Sequence, residues 1–484
     1  MRILEVSNKP KFGGIGIYVQ GLTEELAAQG VSVGWFYAGE YDLGFRPSIT
    51  RSKTNTGVKL FSLRNSPNLH AAYRITHPNA EINSAEIHSA FIKVLEEFQP
   101  ELVHFHDLGG LCSSLIDAAA RRSIPTVTTL NCYWFICPKN DLISNVTGAI
   151  CPGPQGGRNC ASCIPNAGRH MLSAKVQMLI WRLLKARLSL NFFLRLSKPL
   201  LRWHQRFSYA LGSNMDRVRV TPSGCAQSFQ QREDYNLKLL SDTVTLNIAV
   251  TSFVKQRFVE WGVPAEKLIV QHFGTRAAEF LAPTVRLVSA PLVFGYIGPL
   301  TYHKGAHVLI DAFKRLRPGV AKLIVYGNTS SDYGKSMIKT AEECGNIDFR
   351  GAYNHTDLQI ILDEIDIIVV PPIWYDNSPQ VVFEAFSAGV PVIGSKIGGI
   401  PDFVETGVNG LLFEAGNVDD LSDCLSGLVN TPSLVDSMRK NIKPMKTMCR
   451  HVDELSEVYR ELISANYNKK KRGGDSSREP SPEN

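Results

Sequence analysis

The stretch VVPPIWYDNSPQVVFEAFSAG, residues 369–389, joins an apolar run to a helical pattern and indicates the kind of fold. Val369 and Val370 end a short apolar run of the sort found in strands that are buried on both faces of a parallel sheet. Ser378 can cap a helix and Pro379 suits its first turn, so a helix should begin soon after the strand. Open α/β sheets bind ligands at the carboxyl ends of their strands, and the free amides at the start of a helix favour phosphate there. The stretch therefore predicts an α/β fold with a phosphate site at the start of this helix.

Length and composition exclude several other classes of protein. The chain has 484 residues, of which 44% are hydrophobic and 20% charged, as is typical of a globular protein with two or three domains. No run of 18 apolar residues occurs, and the first five residues, MRILE, do not resemble a signal peptide, so we expect a cytoplasmic protein. Ten cysteines in this length are too few for a disulfide framework.

Short apolar runs alternate with helical segments in both halves of the chain. Residues 2–7 form the first run, the glycines at 13–16 follow as a loop, and a helical pattern then ends near Gly30. Such runs indicate parallel strands, and two doubly wound domains with a boundary near residues 276–290 account for them most simply. The further runs are 31–37, 102–106, 126–130, 246–251 and 268–271 in the first series, and 292–297, 323–326, 365–370 and 391–395 in the second.

Several motifs in the second half follow one another in a fixed order. Asp376 and Glu384 are separated by seven residues, and AFSAGVPVIGS at 385–395, GGIPD at 398–402 and GVNGLL at 407–412 come next. Together they resemble glycosyltransferase family 4, the retaining enzymes of GT-B fold. The resemblance extends over most of 1–20 and 100–137 and nearly all of 246–430. It implies an α/β fold of the GT-B kind, in which two Rossmann-like doubly wound domains face a cleft.

The resemblance also implies how the chain is divided. The first part is an N-terminal Rossmann-like acceptor domain (1–280), which includes a cysteine-rich loop (132–163) and a basic amphipathic insertion (about 170–243). A C-terminal Rossmann-like nucleotide-sugar-binding domain (281–450) follows. The chain then ends with a helix that returns to the N-terminal domain (451–465) and a disordered tail (466–484). The tail is expected to be disordered because it carries almost nothing that could be buried.

The C-terminal domain is expected to hold the donor. On spacing alone, Glu384 lies close enough to the helix start to bind ribose hydroxyls, although an ordinary capped helix with solvated acids explains the same residues. The resemblance implies that Glu384 binds the ribose and that Asp376 is a catalytic acid beside the donor sugar, one methylene shorter than the usual Glu. Asn377, Ser378 and Pro379 would bind the donor where the helix amides begin.

A second matching stretch, GYIGPLTYHKG at 295–305, supplies a cation. A lone loop lysine is most often solvated, but a point charge at this place suits a leaving diphosphate. The resemblance implies that Lys304 is catalytic in this way and that Gly298 and His303 belong to the donor site. Pro299 stands where the family has an Arg, so His303, another basic group or the helix amides would have to replace that cation.

Three places in the first half are candidates for substrate contacts. The glycines at 13–16 suit either a tight turn or a close approach to a ligand, and the resemblance implies that Gly14 lies by the donor and Gly16 by the acceptor. His104 and His106 alternate along a strand and so share one face. We expect them on the acceptor side, with a structural role open for at least one. Asn131 stands where relatives carry His, which implies a catalytic place beside the donor sugar.

Four cysteines lie in a loop rich in Gly and Pro. Cys137, Cys151, Cys160 and Cys163 have the spacing C-x13-C-x8-C-x2-C, whose last pair suits half of a tetrahedral zinc site. Four thiolates would make that site structural, and free thiols or redox pairs are the alternatives. For catalysis we expect no cofactor.

The segment between Asp141 and Asp216 contains many basic residues and no acidic one. Apolar residues from Val176 to Leu188 recur within it at helical spacing, a pattern typical of a helix that lies in an anionic membrane surface. An insertion that packs on the N-terminal domain with a solvated basic face explains it equally. The charge alone would suit nucleic acid, but no nucleic-acid-binding module accompanies it, so we expect no such partner.

These interpretations predict a retaining glycosyltransferase that moves a sugar from a nucleotide diphosphate-sugar to a glycan or lipid-linked glycan acceptor in cell-surface polysaccharide biosynthesis. It would be cytoplasmic and peripheral on the inner face of the membrane. The alternative is a GT-B scaffold of weak or no activity that acts as a binding or partner protein, which Asn131 and Pro299 motivate. A dinucleotide-dependent oxidoreductase is disfavoured because GGIG at 13–16 lacks the G-x-G-x-x-G spacing.

Overall fold

The computed structural model describes residues 1–7, 13–40, 42, 46–68, 78–164, 222–284, 288, 290–342 and 344–475. The chain forms two compact units. The first comprises Met1–Asn247, Gly262–Lys267 and Tyr459–Asn484, and the second comprises Ile248–Trp261 and Leu268–Val458.

The division between the units differs from the predicted boundary at residue 280. Residues 248–261 and 268–280 belong to the second unit, because backbone and side-chain hydrogen bonds join them to its later residues. The amide of Thr275 donates to the carbonyl oxygen of Lys446 (2.9 Å), and the amide of Met448 donates to Glu279 Oε1 (3.1 Å).

The first half of the chain contains an eight-stranded sheet. Its strands are β1 (Arg2–Ser7), β2 (Ser32–Ala38), β3 (Ser48–Lys53), β4 (Lys59–Arg64), β5 (Leu102–Phe105), β6 (Thr126–Leu130), β7 (Leu246–Ala249) and β8 (Leu268–Val270). Their order is β3-β4-β2-β1-β5-β6-β7-β8, with parallel pairing from β4 to β6 and an antiparallel β3. The central strands β1, β5 and β6 are almost wholly buried, which agrees with their apolar sequences.

The second unit contains a six-stranded sheet that is parallel throughout. Its strands are β9 (Leu292–Ile297), β10 (Ala321–Tyr326), β11 (Ile347–Gly351), β12 (Ile367–Val370), β13 (Val392–Ser395) and β14 (Gly410–Phe413), in the order β11-β10-β9-β12-β13-β14. Ile367 and Val369 point into one apolar cluster, and Ile368 and Val370 point into another. The sheet therefore has a core on each face, as a doubly wound fold requires.

Helices connect these strands. They are α1 (Gly13–Ala28), α2 (Pro78–Ile82), α3 (Ala85–Phe98), α4 (Ser114–Ala120), α5 (Arg158–Cys163), α6 (Pro222–Lys238), α7 (Ser252–Glu260), α8 (Ala277–Phe280), α9 (Ala306–Phe313), α10 (Asp332–Ala341), α11 (Leu358–Asp363), α12 (Gln380–Ser387), α13 (Val418–Asn430), α14 (Ser433–Asn441) and α15 (Met448–Asp475).

Two helices are longer than the sequence predicted. The glycines at 13–16 form the first turn of α1 instead of a loop, because Val19 and Leu22 of the same helix are fully buried and outweigh the low helix propensity of Gly. Helix α15 continues to Asp475, so the predicted disordered tail is wrong over residues 466–475. Lys and Arg are good helix formers, and Asn466 Nδ2 donates to the carbonyl oxygen of Ser123 (2.9 Å).

The predicted membrane-surface helix lies outside the described residues, as do the rest of residues 165–221 and the end of the tail from 476. Helix α6, at the end of the predicted insertion, packs against α2 and α5. In the part of the chain that the structure describes, no helix is both long and apolar enough to cross a bilayer.

Candidate active site

Two loops of the second unit bring a lysine and an acid together. Lys304 follows β9 and Asp376 follows β12, and these strands are parallel neighbours, so the loops at their carboxyl ends lie side by side. Lys304 Nζ donates a hydrogen bond to Asp376 Oδ2 at 2.6 Å. The structure thus brings together the two residues to which catalytic roles were assigned in this unit.

Trp374 and His303 hold these two loops against each other. Lys304 Nζ lies 5.0 Å from the centre of the Trp374 ring, and the His303 ring meets that indole edge-on at 5.1 Å. The carbonyl oxygen of His303 accepts a hydrogen bond from the amide of Ile373 (2.9 Å). A cation over an indole gains about 0.5–2 kcal/mol, so Trp374 helps to fix the lysine.

Three glycines allow the backbone to approach closely around Asp376. A Cβ at Gly398 or Gly399 would overlap the backbone of residues 376–377, and the amide of Gly399 donates to the carbonyl oxygen of Asp376 (2.8 Å). Gly305 has φ +73°, and a Cβ there would overlap the carbonyl oxygen of Pro371. The GGIPD motif and the glycine after Lys304 therefore shape this site through the backbone.

Helix α12 begins one residue later than Ser378 predicted. Pro379 occupies the N-cap position with ψ 110°, so Ser378 lies before the cap and makes no capping hydrogen bond. Ser378 Oγ is buried and has no hydrogen-bond partner among the described residues. Asn377 is buried beside it. Helix α12 begins four residues after Asp376, and its first N–H groups, as in any helix, have no acceptor in a preceding turn of the helix.

Glu384 lies on the buried face of α12. Its Oε1 is 3.6 Å from His355 Nε2, which comes from the turn before α11. Burial raises the pKa of Glu384, and the His355 side chain partly opposes this by lowering it. Burial, and secondly the negative charge of Glu384, raises the pKa of the nearby Tyr353 to about 12. A buried carboxylate is stabilised when it accepts hydrogen bonds from a ligand.

Gly298 and Pro299 mark the end of β9. The amide of Gly298 donates to the carbonyl oxygen of Tyr326 (3.0 Å), and the Tyr296 hydroxyl donates to the carbonyl oxygen of Pro299 (2.9 Å). His303 Nε2 lies 3.3 Å from Thr301 Oγ1 on the same loop. The His303 ring and the Lys304 amine both contact Trp374, so His303 stays a candidate for the cation that Pro299 does not supply.

In the first unit, His104 and His106 belong to a buried polar network. His106 Nε2 is 2.8 Å from Glu5 Oε2, and the Tyr459 hydroxyl donates to Glu5 Oε1 (3.2 Å). His104 Nδ1 is 2.5 Å from the Tyr459 oxygen and its Nε2 is 2.7 Å from Thr129 Oγ1. The rings do share one region, as predicted, but both are buried, so this geometry offers neither to an acceptor.

Two buried tyrosines, Tyr18 and Tyr459, lie near Glu5. Burial, and then the charge of Glu5, raises the pKa values of Tyr18 and Tyr459 well above their usual value. Glu5 and Tyr459 were missed at the sequence level. A charged residue in the middle of the buried strand β1 is the signal that could have identified Glu5, because such residues are rarely buried without partners.

The remaining predicted residues of the first unit lie near the starts and ends of its elements. Gly14 is exposed and Gly16 is buried, both in the first turn of α1. Asn131 directly follows β6, and its backbone amide donates to the carbonyl oxygen of Thr129 (3.0 Å). The residue is partly exposed, but the Oδ1 and Nδ2 atoms of its side chain are buried. Asn131 therefore begins a loop at the carboxyl end of a central strand, where α/β proteins bind ligands.

Two family models match separate parts of this chain. The model described as glycosyl transferases group 1 matches residues 281–445, and the model of Glycosyltransferase Family 4 matches residues 12–153. The chain is a glycosyltransferase family 4-type protein.

Relatives agree with this family, and solved structures agree with the fold. One relative is WcaL of Salmonella typhimurium, whose name describes it as a colanic acid biosynthesis glycosyltransferase. It is 26% identical over 186 residues, which is 37% of this chain and 46% of that protein. The match spans about half the length of such curated relatives. Sucrose-phosphate synthase from Thermosynechococcus elongatus has a TM-score of 0.61 at 15% identity, over 96% of this chain and all of that one. Anabaena HepE in complex with UDP-glucose has a TM-score of 0.53 at 16% identity, over 96% of this chain and all of that one. These likenesses confirm the predicted GT-B fold.

The four thiols of this glycosyltransferase family 4-type protein do not converge on one point. Among the described residues, only Glu5, His104 and His106 place three metal-binding atoms within 4.8 Å of one another, so no three of the four predicted sulfurs do so. Burial raises the pKa of the Cys137 thiol to about 11, and it also raises that of Cys160. Zinc binds thiolates. The geometry therefore does not support the zinc site of Cys137, Cys151, Cys160 and Cys163, which stays a prediction.

Proposed function

We propose that this chain is a retaining glycosyltransferase that moves a sugar from a nucleotide diphosphate-sugar to a glycan or lipid-linked glycan acceptor. The observation that carries the proposal is the 2.6 Å hydrogen bond from the Lys304 amine to Asp376, which lies four residues before α12 begins. Glu384 is buried on α12, and in this proposal it binds the ribose. A cation, helix amides and a ribose-binding acid suit a nucleoside diphosphate.

In the proposed reaction, the bond between the anomeric carbon and the diphosphate oxygen breaks, and the electron pair leaves with the diphosphate. Lys304 and the first amides of α12 stabilise the negative charge that grows there. The acceptor hydroxyl attacks from the same face, and its proton passes to the leaving phosphate oxygen. The reaction requires no nucleophile from the protein and no cofactor. Binding of the diphosphate would release Asp376 from Lys304, which leaves its carboxylate to bind sugar hydroxyls.

Other residues have supporting roles in this proposal. Gly298, His303, Asn377, Ser378 and Pro379 line the donor site, and Ser378 Oγ offers a hydrogen bond that no described residue uses. In the first unit, Asn131 contacts the donor sugar, and Gly14 and Gly16 place amides near donor and acceptor. His104 and His106 have a structural role within the first unit, because the Glu5 network holds them inside it.

The names of similar proteins guide the proposed substrates. HepE was solved with UDP-glucose, so a UDP-sugar is the first donor to test. WcaL bears the name of colanic acid biosynthesis, which supports a role in cell-surface polysaccharide assembly. A cytoplasmic protein at the inner face of the membrane would meet a lipid-linked glycan there. Contact with an anionic membrane remains part of this proposal.

Nucleotide sugars can test the proposal directly. The purified chain is screened by thermal shift against a panel of them, because a ligand that binds the folded state raises its melting temperature. Stabilising donors are then incubated with and without glycan acceptors, and products are identified by mass spectrometry. Lys304→Ala is the test variant, and Lys339→Ala, an exposed lysine of the same unit, is the control.

The outcomes separate the proposal from its alternative. Transfer or slow donor hydrolysis by the wild type and by Lys339→Ala, with loss in Lys304→Ala, supports a transferase. Donor binding without either reaction favours a GT-B scaffold that acts as a binding protein. No stabilisation by any nucleotide sugar would contradict the transferase and leave the scaffold as the remaining interpretation. Nuclear magnetic resonance of the product then gives the anomeric configuration, and inversion would contradict the retaining mechanism.

A further inference from the structure

The loop that begins at Asn131 is held by a neighbouring helix. Arg232 and Asn236 lie one turn apart on α6 and both reach the backbone of this loop, residues 131–137. Arg232 Nη2 donates to the carbonyl oxygen of Trp134 (2.7 Å), and Asn236 Nδ2 donates to that of Phe135 (2.9 Å). Two consecutive carbonyl groups of the Asn131 loop are thus hydrogen-bonded to a single helix.

A buried ion pair fixes the arginine itself. Arg232 Nε donates to Glu81 Oε2 at 2.6 Å, and both side chains are almost fully buried. The Arg232 guanidinium also lies over the Trp134 ring, 4.5 Å from its centre. Arg232 therefore contacts the loop through a carbonyl group and through an aromatic side chain, while Glu81 sets the orientation of its guanidinium plane.

These contacts are costly for a purely structural purpose. Arg232 Nη1 and Asn236 Oδ1 are buried without a hydrogen-bond partner among the described residues. Well-packed apolar residues often replace a buried ion pair without loss of stability. A function that depends on the position of the backbone carbonyl groups explains why such a pair lies beneath this particular loop.

We propose that Arg232 is a positioning residue for sugar transfer, and that with Asn236 it sets the place of the loop that presents Asn131. The inference rests on the proposed function, in which Asn131 contacts the donor sugar. A displacement of about 1 Å at a reacting group can cost about a hundredfold in rate. Arg232 acts through the loop backbone and has no direct role in the chemistry.

Three variants test the position of the loop. Arg232→Lys keeps a positive charge beside Glu81 but lacks the planar fork that bonds to Glu81 and Trp134 together. Asn236→Leu removes the bond to Phe135. The double variant Glu81→Leu with Arg232→Met removes both buried charges, so it should fold while it lacks the bond to Trp134. We expect each to lower kcat about tenfold or more, with the donor KM changed by less than about twofold.

A control variant separates an effect on the position of the Asn131 loop from an effect on the stability of the protein. Asn65 is another buried asparagine, and its side chain donates a hydrogen bond to Asp42. It follows β4, which is separated from β6 by three strands of the sheet. Asn65→Ala should lower the melting temperature but leave kcat within about twofold below the transition. Hydrogen exchange of the amides of 131–137 should rise in the Arg232 and Asn236 variants and not in Asn65→Ala.

Unchanged kcat in the double variant, an equal loss in Asn65→Ala, or unchanged exchange of the loop would each overturn the inference. If the wild type transfers no sugar with any donor, the proposed function fails. The exchange measurement then still decides whether Arg232 holds the loop, so the two failures can be told apart.

Discussion

Two clusters of ionisable side chains lie near the carboxyl ends of the central strands, one in each unit, and they differ in access to solvent. The Lys304 and Asp376 side chains are 28% and 12% exposed, whereas Glu5, His104 and His106 are fully buried. The first pair can exchange its partner for a ligand. The second cluster is bonded mainly within the protein, and the one ring nitrogen that lacks a partner among the described residues, His106 Nδ1, is buried. Position at the ligand-binding edge of a sheet is therefore insufficient to assign a binding role, and accessible bonding capacity is the better criterion.

The largest expected effect is a loss of stability when the buried cluster of Glu5, His104 and His106 is disrupted, because that cluster is structural. Glu5→Ala leaves the His106 ring and the Tyr459 hydroxyl without an acceptor, and each stranded group costs about 1–3 kcal/mol. We expect the free energy of unfolding to fall by about 2–6 kcal/mol in urea denaturation. Glu97→Ala, which breaks an exposed pair with Arg51, should lower it by about 0.2–1 kcal/mol. Equal effects would remove the distinction between the clusters.

The second effect concerns turnover at the accessible pair. Lys304→Ala should lower kcat about 10²- to 10³-fold, because one well-placed donor contributes about 2.7–4 kcal/mol to stabilisation of the growing charge. Its unfolding free energy should change by less than about 1 kcal/mol, since the pair is partly solvated. Steady-state kinetics and urea denaturation measure the two quantities. A variant that loses stability but keeps its turnover would reverse the roles of the two clusters.

Donor affinity should respond next to Glu384. A hydrogen bond to a charged group contributes about 1.5–3 kcal/mol, so Glu384→Ala should weaken donor binding about ten- to hundredfold. Calorimetry measures this, with Glu364→Ala as a control on an exposed acid of the same unit. Unchanged affinity would count against a ribose ligand at this position.

The smallest effect is a pH dependence of donor binding. Burial raises the pKa of Glu384, so on acidification this carboxylate becomes protonated at higher pH than an ordinary Glu, whose pKa is about 4.3. Affinity should therefore begin to decline at a higher pH than protonation of an ordinary Glu would cause, and Glu384→Gln should remove the decline. His355 lowers the Glu384 pKa, so His355→Ala should move the decline to higher pH. A wild-type profile that is flat down to pH 4.3 would contradict this expectation.

The sequence predicted the strands and helices better than it predicted which distant residues contact each other. Apolar runs predicted ten of the fourteen strands of the described residues and missed the more exposed β3, β4, β11 and β14. The family resemblance selected Lys304 and Asp376, which the structure places after two neighbouring strands. The contacts of Tyr459 with Glu5 and of Arg232 with Glu81 join residues far apart in the chain, and no local periodicity reveals them. The Ser378 cap was wrong because Pro379 adopts an extended ψ and takes the N-cap position itself.

A crystal structure with a bound nucleoside diphosphate tests the central claim most directly. We predict that a terminal phosphate oxygen lies about 3 Å from Lys304 Nζ, that the first amides of α12 face the same diphosphate, and that the bond from Lys304 to Asp376 is broken. A diphosphate bound elsewhere, with the Lys304–Asp376 pair intact, would contradict the account.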